Sequence, residues 1–177
     1  MKLNRKIAAL ILAVTMLAGV GGPVPLQAQA ANNLPTNGLR ITLLAPLTIT
    51  AAVGATGTTP VVSLAGMKYI TAEAIFVYGS GGTNATAYVQ TSLDGGTTWV
   101  DVIAFQFTTA TLSKIASVSA DVAFAASAYV PIAPTDGSLT ANTSVQGIMG
   151  DRLRLKYVTT GTYGGSTTLA VYAIVKG

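Results

Sequence analysis

Apolar and polar positions alternate with a period of two in several stretches of the chain, the pattern of strands with one buried face rather than of helices. The plainest case is Asn84 to Phe107, two β-branched and aromatic runs joined at Asp94-Gly95-Gly96. Asp-Gly between such runs predicts a β-hairpin, because glycine reaches positive φ without steric cost and the primed turn matches the twist of the strands. Tyr69 to Tyr78 alternates well enough for a strand with one face in the core. In Asp151 to Thr160, Arg152, Arg154 and Lys156 share one face while Leu153, Leu155 and Tyr157 share the other. Gly161 to Ser166 is expected to turn that strand back into Thr167 to Lys176 as a second hairpin.

The intervening stretches add shorter elements. Leu39 to Val53 is strand-like but broken by Pro46, which has no N–H for a ladder and so predicts an edge strand or a bent one. Gly54 to Pro60 is a loop, Val61 to Leu64 a short strand, and Gly79 to Asn84 a turn. Thr111 to Ser119 offers a further strand. Ala120 to Ala128 is alanine-rich and compatible with a single helical turn. Tyr129 to Pro134 is held extended by its prolines, Thr135 to Ser138 is a turn, and Leu139 to Gly150 a loop or short strand. Eight or nine strands at this spacing predict an all-β fold, an antiparallel β-sandwich of two packed sheets, with the jelly roll among its forms.

The N-terminus differs from the rest. Basic Met1 to Lys6, apolar Ile7 to Val20 and then Ala28-Gln29-Ala30 give residues 1–30 the three parts of a secretory signal with a cleavage point after Ala30, or else an N-terminal arm. The apolar run is short for a bilayer span. Residues 31–38 read as a turn-rich linker and 39–177 as the β-sandwich domain, a length that buries a core without staples.

Composition narrows the chemistry. The 177 residues are 50% hydrophobic and 9% charged, with 19 glycines, no cysteine and no histidine. Zinc–thiolate sites, Ser-His-Asp triads and imidazole acid–base catalysis are therefore excluded. Lys2, Arg5 and Lys6 account for three of the ten basic side chains, leaving seven against six acidic ones, so the body is close to neutral. That argues against a nucleic-acid partner, since phosphate binding draws on clustered Lys and Arg. Glu73, the single glutamate, reads as a solvated outward side chain, and the aspartates lack the spacing of a calcium loop. No catalytic residue, cofactor or metal ligand is expected.

Two motifs stand out. Ser92-x-Asp94-x-Gly96-x-Thr98-Trp99 matches the Asp-box pattern of sialidase propellers, in which Asp and Ser or Thr groups bond backbone amides of a turn and the Trp packs beneath. It occurs once, and glycoside hydrolysis also needs a facing carboxylate pair, so the motif is expected to form a turn rather than a catalytic site. Arg152, Arg154 and Lys156 form a possible interaction face for a carboxylate, a glycan or an acidic surface, against the alternative that they solubilise or guard a sheet edge.

The runs Leu64 to Ala72, Tyr88 to Asp101 and Gly150 to Tyr163 together resemble small structural proteins encoded among the head genes of tailed bacteriophages. The resemblance covers about residues 40 to 177 and rests on the Asp-Gly-Gly-x-Thr-Trp hairpin combined with Asp151-Arg-Leu-Arg-Leu155; residues 1–30 fall outside it. It implies a capsid decoration or cement protein, a non-enzymatic β-sandwich on the virion surface whose partners are the major capsid protein or copies of itself in an oligomeric assembly. The other expectation is an exported surface or matrix β-sandwich that binds glycan or assembles into a filament, secreted or at the cell surface after cleavage near Ala30.

Overall fold

The computed structural model describes residues 38–49, 57–64, 66–122 and 131–177. The signal-like segment 1–30, nearly all of the linker 31–38 and most of the alanine-rich run 120–128 lie outside the described residues. The strands are β1 (Leu39–Thr48), β2 (Gly57–Thr58), β3 (Val62–Ser63), β4 (Tyr69–Val77), β5 (Ser80–Gly81), β6 (Asn84–Ser92), β7 (Val100–Phe107), β8 (Leu112–Ser119), β9 (Arg152–Thr160), β10 (Tyr163–Gly164) and β11 (Thr168–Lys176). Every pairing between them is antiparallel. The all-β antiparallel expectation holds. Seven strands are eight to ten residues long; with the interrupted stretch 57–64 counted as one, the two large sheets hold eight.

One sheet runs β1-β11-β4-β8, and the other β9-β6-β7 with β2 and β3 both paired to the free side of β9. The pairings are nested along the chain. The first strand pairs with the last (β1 with β11), the stretch 57–64 with β9, β4 with β8, and at the centre β6 with β7. Pro60 interrupts the second of these, and Thr59 keeps the ladder connected across the gap by donating its N–H to Leu155 O at 2.9 Å. Pro46 acts as its chemistry requires. β1 is an edge strand, paired among the described residues with β11 alone, and its register slips between Thr42 and Leu44 and again between Leu44 and Leu47.

Alternation places the core. Ile70, Ala72, Ala74 and Phe76 of β4 point inward, as do Leu169, Val171, Ala173 and Val175 of β11; from the other sheet come Ala85, Ala87 and Val89 of β6, Phe105 and Phe107 of β7, and Leu153 and Leu155 of β9, all in one buried cluster. Aromatic rings join the sheets: Phe76 stacks on Phe107 with centroids 5.2 Å apart and meets Tyr163 edge-on at 6.1 Å.

The expected hairpin at 151–176 is not what forms. β9 belongs to one sheet, between β6 and β2/β3, and β11 to the other, between β1 and β4. The glycine-rich turn at 161–166 does reverse the chain, but it carries it across the core instead of along one sheet. Both strands have an apolar face, and each satisfies it from opposite sides of the same interior. The connection 79–83 crosses likewise from β4 to β6, and the two crossings bond to each other as β5 and β10. Glycine permits this close approach: Gly82, at φ 66°, lies against the Tyr163 ring, so that a Cβ there would overlap ring carbons.

The Tyr163 hydroxyl is buried without a hydrogen-bond partner among the described residues, and burial, with the neighbouring Tyr78, pushes its pKa up. Losing that hydroxyl should remove an unmet desolvation cost, whereas losing the ring it meets should open a cavity. Tyr163→Phe is therefore expected to raise unfolding stability by about 1 kcal/mol, while Phe76→Ala lowers it by about 3–5 kcal/mol. Urea titration of both variants checks the opposite signs.

Candidate functional site

The Asp-box-like residues build the loop between β6 and β7. Ser92 ends β6, and its Oγ accepts the Gly96 N–H at 2.8 Å while donating to Asp94 Oδ1 at 2.8 Å. Asp94 Oδ1 accepts the N–H groups of Thr97 (3.0 Å) and Thr98 (2.8 Å), and Oδ2 accepts Thr98 N–H at 3.0 Å. The loop is wider than the primed turn the Asp-Gly pair predicts: Gly95 and Gly96 take the positive φ values, 72° and 106°, and all of Leu93 to Trp99 separates the strands. Side-chain oxygens supply the acceptors that a tighter turn would find in its own backbone. These bonds to Thr98, Ser92 and Thr97 favour the ionised carboxylate and lower the Asp94 pKa from 3.8 to about 2. Trp99 packs beneath, buried, with Gly96 above its ring.

The same tryptophan meets the second predicted feature. Arg154 lays its guanidinium over the Trp99 ring, 4.1 Å from the centroid. Arg152, Arg154 and Lys156 do share one face of β9, as the alternation requires, but β9 has neighbours on both sides and is no sheet edge. Arg154 Nε donates to Gln90 Oε1 at 2.7 Å and its Nη2 pairs with Asp136 Oδ1 at 3.1 Å; Lys156 Nζ pairs with the same oxygen at 2.9 Å and donates to Asp136 O at 2.7 Å. Their side chains keep only 16% and 15% of their exposure, so little of either charge is left for a partner. Hydrogen bonds from Gln90 and Lys156, and the charges of Lys156 and Arg154, hold the Asp136 pKa below its ordinary value. Next to them, Arg152 pairs among the described residues with Asp151, 3.7 Å away.

Asp101 organises this face, and sequence reasoning missed it. Along β7 it has the odd parity of Ile103, Phe105 and Phe107, which are core residues, so simple alternation would drive a carboxylate into the interior. A β-bulge intervenes: Val89 pairs with Ile103 but Gln90 pairs with Asp101, and the extra residue, Val102, turns Asp101 to the outer face. There it is completely buried, because residues 135–147 run back along the free side of β7. Asp101 N–H donates to Thr135 O, Ala104 N–H to Thr143 O and Val145 N–H to Val102 O, each at 2.9 Å. The carboxylate then accepts Gly137 N–H on both oxygens (3.0 and 2.9 Å), Ser138 N–H at 3.0 Å, Leu139 N–H at 3.1 Å and Gln90 Nε2 at 2.7 Å. It is the latch that closes the strap over the sheet. The only signal in the sequence was a second aspartate, in Thr135-Asp136-Gly137-Ser138, whose turn supplies the donors.

The opposite face, outside β1-β11-β4-β8, carries no such cover among the described residues. Ile115 is 68% and Ile174 53% exposed, and Tyr69 and Val77, at the two ends of β4, are exposed on the same face. A shallow hollow of about 330 Å³ lies between Ile115, Tyr172 and Ile174, rimmed by Arg40 and Glu73. Arg40 sits over the Tyr172 ring at 5.1 Å. Glu73 is outward, as its parity predicts, and has no ion-pair partner among the described residues. No group of three or more metal-ligating carboxylates converges among the described residues.

Comparison of the chain with protein-family models, with curated proteins and with solved structures finds no match in any of the three. What the chain does therefore has to be argued from its own surfaces.

Two tests follow from the latched face. Asp101→Ala leaves three backbone N–H groups without their acceptor, while the Gln90 amide keeps Asp136 Oδ1 at 2.9 Å, and is expected to cost about 3 kcal/mol, with amide protons of 137–139 losing protection in hydrogen exchange. Asp94 and Asp136 are both more acidic folded than unfolded. Their contribution is complete above the unfolded value of 3.8 and, for Asp94, disappears as pH falls toward about 2. Fluorescence of Trp99, the one tryptophan, should report the turn loosening across that window; in Asp94→Asn that acid transition should shrink.

Proposed function

We propose that the protein is a non-enzymatic structural protein of a virion, a capsid decoration or cement module that stabilises the shell by contacts with the major capsid protein or with copies of itself. The observation that carries this reading is how its polar chemistry is used. Ser92, Asp94, Thr98, Arg154, Lys156, Asp101 and Asp136 are turned on one another or on the backbone, and the face left open mixes exposed Tyr69, Ile115 and Ile174 with Thr71, Glu73 and Lys176. A flat surface of that kind favours adhesion to another protein, and its lone carboxylate has no second acid or base facing it among the described residues. The resemblance of the three sequence runs to phage head proteins supplies the setting.

We read the architecture as a jelly roll. Nested pairing of first strand with last, second with second-last and so on inward, divided into two four-membered sheets, is what folding a long antiparallel ribbon over itself produces. The form suits the role, because among the described residues one broad face is left for lateral contacts. Arg152, Arg154 and Lys156 enter this reading as the inner fastening of the strap, with Arg152 the member still placed to meet an acidic neighbour.

The second reading, an exported surface or matrix protein, is favoured by the three-part pattern of residues 1–30. One experiment separates the two: purified virions, culture medium and cell envelope are probed for the protein, and its N-terminus is sequenced. The virion reading expects the protein in stoichiometric amount on intact particles. A protein recovered only from medium or envelope, beginning at Ala31, overturns that reading in favour of export.

A further inference from the structure

The edge of β8 is paired along only part of its length. In an antiparallel ladder the residues that bond one neighbour alternate with those whose N–H and C=O face the other way. Ala120 N–H donates to Lys68 O at 2.8 Å, so the even-numbered residues of β8 bond β4, and Ser113, Ile115, Ser117 and Ser119 turn their backbone groups outward. At Ser117 O and Ser119 the strap supplies partners: Gln146 Nε2 donates to Ser117 O at 2.8 Å, its Oε1 accepts Ser119 N–H at 3.0 Å, and Gly147 N–H donates to Ser119 O at 2.8 Å. A side-chain amide there takes the place of a neighbouring strand's peptide group. The outward groups of Ser113 and Ile115 have no partner among the described residues.

We propose that this open stretch of β8 is a binding slot for an extended segment of a different protein, which adds as a strand at Ser113 and Ile115 and sets a carboxylate against Lys114. The inference goes beyond the structural reading above and stands whether the protein works on a virion or after export. Ser144 of the strap is paired to Ile103 of β7 while Gln146 reaches over to β8. Between them, beside Ile115, lies a hollow of about 300 Å³ lined by Phe105, Ala116 and Asn142. Pairing with both open residues takes three residues of guest, about 10 Å of extended chain. Main-chain bonds of this kind give affinity whatever the sequence, and side-chain contacts then select among guests.

Lys114 supplies the selection. Its side chain lies on the same side of β8 as Ala116 and the buried Val118. Its Nζ donates to Gln106 O at 2.5 Å and Asn142 Oδ1 at 2.6 Å, 5.2 Å from the Phe107 ring centroid. Both oxygens are neutral. All six acidic side chains of the chain are among the described residues, and their ion pairs go to Lys68, Arg152, Arg154 and Lys156. An inward lysine on an edge strand penalises an apolar guest, whose arrival would bury the ammonium without a counter-charge, and admits a guest that brings one. The same inventory fixes the source. Residues outside the described ones include no aspartate or glutamate, so neither this chain's remaining segments nor those of a second copy carry the required group.

The test uses the isotope-labelled full chain and a short, end-blocked peptide of alternating threonine and valine with one central glutamate. Titration is expected to shift the Ser113 and Ile115 amide resonances, to protect both from hydrogen exchange, and to leave the opposite edge strand β1 unchanged. Replacing the peptide's glutamate by glutamine should weaken binding about tenfold, and N-methylation of its backbone should abolish binding. Lys114→Met should remove the preference between the two peptides, with Trp99 fluorescence confirming that the variant is folded. Failure of the glutamate peptide to bind overturns the proposal, as does wild-type binding that is equal for the glutamine peptide or that shifts β1 in place of β8. An undiminished preference in Lys114→Met overturns it equally.

Discussion

A buried carboxylate decides which side of this molecule is closed. Asp101 sits where the strand's own alternation would send it inward, and a single inserted residue, Val102, turns it out against Gln90. Desolvating a carboxylate is expensive unless its lone pairs are met. Here they are met by three successive backbone N–H groups, from Gly137, Ser138 and Leu139, and by the Gln90 amide. The strap cannot leave without exposing those donors, and the carboxylate cannot be buried without the strap.

From that latch a continuous set of contacts spreads over one face. Gln90 passes from Asp101 to Arg154, Arg154 stacks on Trp99, and Trp99 lies under the loop that Ser92 and Asp94 hold in shape. Asp136, one residue before the first donor to Asp101, ties Arg154 and Lys156 to the strap. The Asp-box-like turn and the cationic row, which look like two separate features in the sequence, are opposite ends of one network. Their charge balances internally, and that is why they make poor candidates for a ligand site.

The other face has the reverse character. The β4 and β11 strands carry apolar residues on both of their sides, Ile70 and Phe76 inward against Ile75 and Val77 outward, Val171 and Val175 inward against Ile174 outward. Thr71 and Glu73 of β4 and Thr168 and Lys176 of β11 share that outer side, so it is mixed where the inner side is wholly apolar. Within the chain only one side is covered among the described residues.

Strand positions, the edge character of β1 and the turn-forming role of Ser92, Asp94, Gly96, Thr98 and Trp99 were legible in the amino-acid order, because period-two alternation, a proline without an N–H and short polar side chains beside glycine all act over a few residues. The sequence also determined that Arg152, Arg154 and Lys156 share a face. It did not determine that β9 and β11 part to different sheets, since a turn fixes only that the chain reverses and the competition among distant partners fixes where it lands. Nor did it disclose the latch: the bulge at Val102 shifts parity by one, and the donors to Asp101 lie more than thirty residues further on. Local rules set which residues form strands; only the tertiary structure decided which faces those strands hide, because burial depends on chain segments that meet in space and not in sequence.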